Sequence, residues 1–479
     1  MQIYPTFKFS IVFREKTCYN YSDTMIYRKE TEFMKNKKIL ALILAAVMTA
    51  SLAACGTSSD TSADTSAETA AEASADADSA EEASAETEAP ETEAVTTAAS
   101  DYVPTEPVDL DAGITDAMYE RAIVNVGDRT RLASVLKKME TEGENLKIGF
   151  IGGSITAGSI VTSSENTYAN RVWIHFIKKF GEEHAPNIVN AGIGATDSYI
   201  GVHRVERDLF EKEETCPDIV VVEFSVNDTR PLVNKDSYDS LVRRILSQPN
   251  NPAVILLFQT QEDGTSLQDV HQEIGFKYDL PMISYKNVVY PEVKAGTLKW
   301  SDISPDNIHP NDVGHGLVAQ LLTRFIDETY DEADSLAGEV TAFDAEPLTK
   351  DIYKDAHMLN SEDITADTAE NFTLESINNN FPNNWVTEGN GTLVFKDIEF
   401  RNFGVMFQKK TDGSFGKYDV YIDGEKKAQF DGDFTGGWGN YAETQECMRS
   451  DETAKHTVEI KPAEGSEDKG AAILALMIS

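Results

Sequence analysis

Gly152-Gly153-Ser154-Ile155-Thr156 follows the apolar run Ile148-Gly149-Phe150-Ile151, and this strand-then-turn stretch decides how the chain is read. A short apolar run bounded by glycines reads as a buried strand. A serine just past its end stands where α/β proteins gather reactive groups, outside the carboxyl ends of a parallel sheet. Two later stretches have the same form. Ser225-Val226-Asn227-Asp228 follows the run Ile219-Val220-Val221-Val222, and Asp306-Asn307-Ile308-His309-Pro310 lies beyond the run Met282-Ile283-Ser284-Tyr285. Each has an ordinary structural reading by itself: a turn with a helix N-cap, a plain turn, and a helix start with Asp306 as cap and Pro310 in the first turn. In this order they supply a nucleophile, an oxyanion donor and an acid-base pair.

The chemistry explains the residue types. A serine hydroxyl is a weak nucleophile at neutral pH and needs an imidazole to take its proton and later return it to the leaving group. A carboxylate must hold that imidazole in one tautomer and stabilise the imidazolium. Asp306 lies three residues before His309, which places both on one turn at the start of a helix. The negative oxygen of the tetrahedral intermediate needs donors aimed at it, and Asn227 is the candidate side chain.

Taken together, the stretches resemble the SGNH or GDSL family of esterases and lipases over roughly the middle half of the chain. The resemblance implies Ser154, His309 and Asp306 as catalytic residues. It also implies an oxyanion hole made of the Ser154 N–H, the backbone N–H of Ala195 within Asn190-Ala191-Gly192-Ile193-Gly194-Ala195, and the Asn227 side chain. Three positions depart from the family pattern. Gly153 replaces an aspartate, Ala195 stands for a glycine, and Ser225 begins the third block where glycine is usual. Ala195 still offers its N–H but tolerates positive φ less well than glycine.

Among the other polar residues, His315 reads as a structural neighbour of the site, while His203 and Arg204 read either as pocket lining or as a solvated helix face. The remaining histidines are scattered without ligand spacing and no cysteine pair has a zinc-type interval, so neither a metal nor a cofactor is expected. Gly192-Ile193-Gly194 lacks the third glycine of a dinucleotide fingerprint.

The front of the chain speaks to location. Lys35-Asn36-Lys37-Lys38 precedes an apolar stretch at 39–47 and then Leu52-Ala53-Ala54-Cys55, a basic start, an apolar middle and small residues before a cleavage point. This reads as a bacterial export signal at 34–54, with 1–33 an upstream extension from a misplaced start. Leu-Ala-Ala-Cys resembles a lipobox, which implies lipidation of Cys55 and a cell-surface lipoprotein held at the membrane. Residues 55–107 are rich in Ser, Thr, Ala, Asp and Glu, and no Lys or Arg occurs between Lys38 and Arg121. Such a segment has little to bury and repels itself, so it reads as a disordered tether. The formal net charge of −39 argues against a nucleic-acid partner.

Two domains are expected after the tether. Residues 108–330 alternate strand runs, including Val254-Ile255-Leu256-Leu257-Phe258, with helical periods at 168–180, 238–246 and 313–326. They predict an α/β fold, a doubly wound parallel sheet with flanking helices. Residues 331–479 read as a connector and a smaller all-β sandwich or jelly roll, with short strands emerging after about Asn390 and a hairpin at Tyr421-Ile422-Asp423-Gly424-Glu425. Cys216 and Cys447 fall in different domains and read as unpaired buried residues. Trp385, Trp438 and Tyr441 read as core, with a sugar-stacking platform as the functional alternative.

These readings converge on a surface esterase removing short acyl groups, acetyl foremost, from an acylated small molecule or extracellular polysaccharide. Removing the region after Asn390 is expected to weaken action on polymer and spare small esters. A glycan O-acyltransferase with the same triad, and a non-catalytic carbohydrate-binding lipoprotein, are the alternatives.

Overall fold

The computed structural model describes residues 102–210 and 216–479; the stretch read as an export signal, Cys55 and the acidic stretch up to residue 101 lie outside the described residues. Tyr102 already packs on the first domain. Its ring sits 3.6 Å from the Arg121 guanidinium, and its hydroxyl donates to Glu292 Oε1 at 2.9 Å.

Six strands form the sheet of that domain: β1 (Ile123–Asn125), β2 (Lys147–Gly152), β3 (Asn187–Gly192), β4 (Ile219–Glu223), β5 (Ala253–Phe258) and β6 (Met282–Ser284). Their order is β1-β6-β5-β4-β2-β3. β2 to β6 are parallel, and β1 is an antiparallel edge strand on β6. Successive side chains of a strand point to opposite faces, so β4 sends Ile219 and Val221 into one core and Val220 and Val222 into another. β5 divides in the same way. Burial on both faces is why these strands read as unbroken apolar runs. The expected helices are present as Tyr168–Phe180, Pro231–Leu246 and Asp312–Asp331. β3 lies at an edge with its polar residues partly exposed and has no such run.

The chain makes β3 on one side of β2 and then crosses back to make β4 on the other. That reversal opens a crevice between the loops leaving β2 and β4, the position where open α/β sheets bind ligands.

In the second domain β7 (His357–Leu359), β8 (Thr368–Glu370), β9 (Thr373–Glu375), β10 (Asn384–Thr387), β11 (Thr392–Lys409), β12 (Lys417–Ile422), β13 (Glu425–Asp431), β14 (Tyr441–Pro462) and β15 (Ala471–Ile478) pair into one antiparallel sheet. A β core is thus enclosed by one continuous curled sheet, without division into separately bonded sheets. β11 and β14, of 18 and 22 residues, pair along their length with register shifts at Phe395/Ile398, Phe400/Asn402 and Phe403/Gly404. An extra residue on one strand bends it, so these bulges curl the sheet. Phe395, Phe403, Tyr418, Val420 and Ile460 fill the inside. Asp423 and Gly424 have φ of 53° and 81°, the two positive values of a primed hairpin turn. β7 to β10 precede Asn390 in the Asp- and Asn-rich stretch, where exposed β8 and β9 carry no apolar alternation. Cys216 is buried and Cys447 half-buried, both free.

The other face of β11 and β15 packs on the α/β domain. Met406, Leu474 and Met477 join Tyr199, Val202 and Tyr353 in one core. Tyr199 lies so near Gly404 that a Cβ there would come within 2.4 Å of the phenol oxygen. Beside this contact Glu446 Oε1 accepts from Asn402 Nδ2 at 2.6 Å and from the Tyr353 hydroxyl at 2.5 Å. Cutting the chain after Asn390 would strip this shared core, so such a truncation disturbs the α/β domain as well as any polymer binding.

Gly404→Val is expected to overpack the interface and cost about 1–3 kcal/mol, measured as a Tm lower by a few degrees. An unchanged Tm would mean that the domains are not held through this contact.

Candidate active site

β2 ends at Gly152, and Ser154 opens a one-turn helix, Ser154–Ala157. Its Oγ lies 2.9 Å from His309 Nε2, and His309 Nδ1 lies 2.8 Å from Asp306 Oδ2. The second Asp306 oxygen accepts the backbone N–H groups of Ile308 and His309 at 2.8 and 2.7 Å. Partial burial works against ionisation of Asp306, but these two N–H groups and the imidazole outweigh it and hold the carboxyl below its ordinary range. The loop is pinned from behind by Ser304 Oγ, which lies 2.7 and 2.6 Å from the Asp306 and His309 carbonyls and shares its one proton between them.

One detail differs from the sequence reading. Asp306 and His309 lie in a turn before the helix, not in its first turn. The cap is Asn311, whose Oδ1 accepts from the N–H groups of Val313 and Gly314. A side-chain acceptor at the residue before Asp312 satisfies the free helix donors, which leaves Asp306 available to the histidine.

The three departures each have a local consequence. A Cβ at Gly153 would lie 2.1 Å from Asn227 Oδ1, so the absence of a side chain lets the Asn227 amide lie against the Ser154 turn. That amide oxygen has no hydrogen-bond partner among the described residues. Ala195 adopts φ 58°, the left-handed region where glycine is at home. Ser225 Oγ accepts from the Gln259 N–H at 2.7 Å and lies 3.2 Å from its carbonyl, tying the end of β4 to the end of β5. Gly194 brings the Ala195 loop beside Ser154, since a Cβ there would stand 3.9 Å from that of the serine. Ala195, Asn227 and Arg230 face Lys409, Gln429 and Glu443 of the β domain across a cleft of about 380 Å³.

His315 is buried, and its Nδ1 accepts the Tyr168 N–H at 3.1 Å. Burial and then the nearby Arg171 lower it to about 4, so it stays neutral. Arg204 neither lines the cleft nor meets solvent. Fully buried, it donates to the carbonyls of Ala191 at 2.7 Å and Gly152 at 2.9 Å, stapling the ends of β3 and β2. His203 is likewise buried, packed on Tyr199 and Tyr353. His203 is covered by Tyr353, 150 residues later in the chain, whereas Arg204 is turned inward onto the ends of the sheet of its own domain. Two further groups escaped the sequence reading. Glu223 is buried beneath the Ser154 turn, where Thr156 Oγ1 donates to it at 3.1 Å. Burial pushes its carboxyl up to about 8. Asp228 is buried against His271. Among the described residues no cluster of His, Cys, Asp and Glu is arranged to hold a metal ion.

Gly153→Ala is expected to displace the Asn227 amide and lower kcat for a small ester by about 100-fold with little change in Tm, since one misplaced oxyanion donor costs on the order of 3 kcal/mol. Unchanged kcat would separate Asn227 from the reaction. Glu223 gives a pH prediction. Its pKa is raised on folding from 4.5 to about 8, so its contribution is fully present below pH 4.5 and is lost as pH rises to 8. Glu223→Gln should therefore gain on the wild type by up to about 5 kcal/mol over that interval. Parallel curves of Tm against pH would contradict the raised pKa.

The profile of the GDSL-like Lipase/Acylhydrolase family matches residues 150–317. A two-domain esterase (CEX) active on acetylated mannans is 31% identical, with TM-score 0.68, covering 75% of this chain and 98% of its own. Its structure co-crystallised with mannopentaose gives TM-score 0.67 and covers 75% and 97%. A catalytic mutant of an acetylxylan esterase from Geobacillus stearothermophilus is 20% identical, with TM-score 0.32, covering 38% of this chain and 95% of its own. No curated protein matches the chain. With the identity to the two-domain esterase extending over nearly the whole of that enzyme, this chain belongs to the SGNH/GDSL family and is a carboxylic ester hydrolase with a C-terminal β domain.

Proposed function

We propose that this enzyme removes short acyl groups, acetyl foremost, from extracellular polysaccharide through a Ser154 acyl-enzyme. The observation that carries the reading is the hydrogen-bonded chain from Ser154 Oγ through His309 to Asp306. Ser154 Oγ attacks the acyl carbonyl carbon while His309 Nε2 takes its proton. The carbonyl π electrons move to oxygen, which is met by the N–H groups of Ser154 and Ala195 and the Asn227 amide. Collapse expels the sugar oxygen, and His309 protonates it. A water then gives a proton to His309 as its oxygen attacks the acyl carbon, and collapse of this second intermediate breaks the bond to Ser154 Oγ, which takes the proton back from His309 as the carboxylic acid leaves.

Carbohydrate as the substrate is supported by the cleft and by its surroundings. Arg230, Lys409, Gln429 and Glu443 make its walls polar, which suits hydroxyl-rich substrates. Just beyond it Trp438 is 72% exposed and stacks on Tyr441 with centroids 4.6 Å apart. The Tyr441 hydroxyl donates to Glu443 of the cleft wall at 2.8 Å. An open indole face packs against the C–H face of a sugar ring, so the platform would hold a residue distal to the ester. Trp385, by contrast, is buried core. The acetylated mannans of the two-domain relative support acetyl as the acyl group. Anchoring at the cell surface through Cys55 rests on the sequence at 34–55. Among the described residues no helix is long and apolar enough to cross a membrane.

The test is hydrolysis of p-nitrophenyl esters from acetyl to long chains, beside release of acetate from an acetylated mannan. Ser154→Ala should remove at least about 10³-fold of the rate on both. Trp438→Ala should raise KM on the polymer alone. Turnover that survives Ser154→Ala would refute the mechanism, and equal loss on both substrates in Trp438→Ala would refute the platform.

A further inference from the structure

Under the oxyanion side of the site lies a carboxylate that the reaction scheme does not use. Asp228 follows Asn227 directly, and its side chain has no solvent exposure. Its two oxygens go to two different elements. Oδ1 accepts the Ser198 N–H at 2.7 Å, at the start of the helix Ser198–Asp208, and Oδ2 lies 2.8 Å from His271 Nε2 on the helix Gln268–Lys277. The loop that carries Ala195 runs directly into Ser198. One buried carboxylate therefore joins the turn that presents Asn227 to the loop that presents Ala195.

His271 is itself held rigidly. Its ring stacks on Tyr238 with centroids 3.7 Å apart and planes 3° apart, and Phe258 lies 6.4 Å away. Its Nδ1 and the Tyr238 hydroxyl have no partner among the described residues. The pair sits beside the core that holds Tyr238, Phe258 and Ile274. Buried polar pairs of this kind are weak contributors to stability, because desolvation offsets most of the attraction. What this one does is geometric.

We propose that Asp228 and His271 are positioning residues for the oxyanion hole, setting the distance between the Ala195 N–H and the Asn227 amide. The inference rests on the assignment of these two groups as donors. Among the described residues Asn227 is anchored through backbone on its own turn, where the N–H groups of residues 227 and 228 both bond to the Phe224 carbonyl at 3.0 Å. The Asp228 carboxylate supplies the lateral tie to the second donor loop. Shifts of about 1 Å in such a group cost on the order of 100-fold in rate.

The experiment uses the full chain with p-nitrophenyl acetate. Asp228→Ala is expected to lower kcat about 100-fold with KM within threefold. Its affinity for a phenylboronic acid, whose tetrahedral serine adduct places an oxygen in the hole, should fall with it. Asp228→Asn keeps an acceptor for Ser198 and should recover kcat to within about tenfold of wild type. His271→Phe keeps the stack on Tyr238, loses the hydrogen bond, and should fall between the two. Val420→Ala, in the core of the β domain, is the control for lost stability without lost positioning. The proposal is overturned if Asp228→Ala keeps kcat within threefold, if its loss lies in KM, or if Val420→Ala at a similar Tm loses as much kcat. Ser154→Ala run in parallel separates the two claims: an active Ser154→Ala refutes the acyl-enzyme itself, whereas an inactive one beside an active Asp228→Ala refutes only the positioning role.

Discussion

The reversal of strand order beside β2 is the constraint on which the rest depends. Once the chain has crossed from β3 back to β4, the loops leaving β2, β3 and β4 must share one crevice. Each contributes one group there: Ser154 after β2, Ala195 after β3 and Asn227 after β4. The fourth contributor, the loop with Asp306 and His309, arrives from the far end of the sheet order and is anchored by the long helix Asp312–Asp331 that follows it. Nothing in these loops is long. Their positions come from the strands, and the close fit of Gly153 against Asn227 is what that proximity permits.

Beneath the crevice lies an unusual concentration of buried polar groups. Arg204 bonds the carbonyls at the ends of β2 and β3, Glu223 meets the Ser154 helix through Thr156, and Asp228 bridges two loops. Each answers a polar backbone or side-chain group at the open end of the sheet. A sheet that separates its strands to make room for chemistry needs such groups, and their desolvation is the cost of an open end inside a folded protein.

This explains what the sequence could and could not disclose. Strands buried on both faces appear as apolar runs, and Tyr168–Phe180 is framed by Thr167 as cap and Gly181 as stop, so the α/β core was legible. Ser154, Asn227, Asp306 and His309 stood out because a turn after a strand exposes them as local motifs. β1 and β3 were not legible, since edge strands need neither length nor alternation. Nor were His203 and Asp228, whose partners Tyr353, Ser198 and His271 are distant in the chain, nor Arg204, whose burial against the Ala191 and Gly152 carbonyls depends on how its helix lies on the sheet. The β domain was legible as a type from its short strands and its Asp423-Gly424 turn. Its single curled sheet was not, because bulges in β11 and β14 have no signature in composition.

The contact of Tyr199 with Gly404 also bears on how such a protein can change over generations. The two folds meet through a shared core and not through a linker, so a different β domain joined at the same point would bring no surface shaped for Tyr199 and Tyr353. Tyr199 stands on the helix whose preceding loop carries Ala195, so a poor fit there would reach the reaction centre as well. Recombination that treats the β domain as a replaceable module is thereby disfavoured. The heritable unit is the pair of folds together, and divergence in what the enzyme acts on is channelled into the exposed loops at the rim of the cleft.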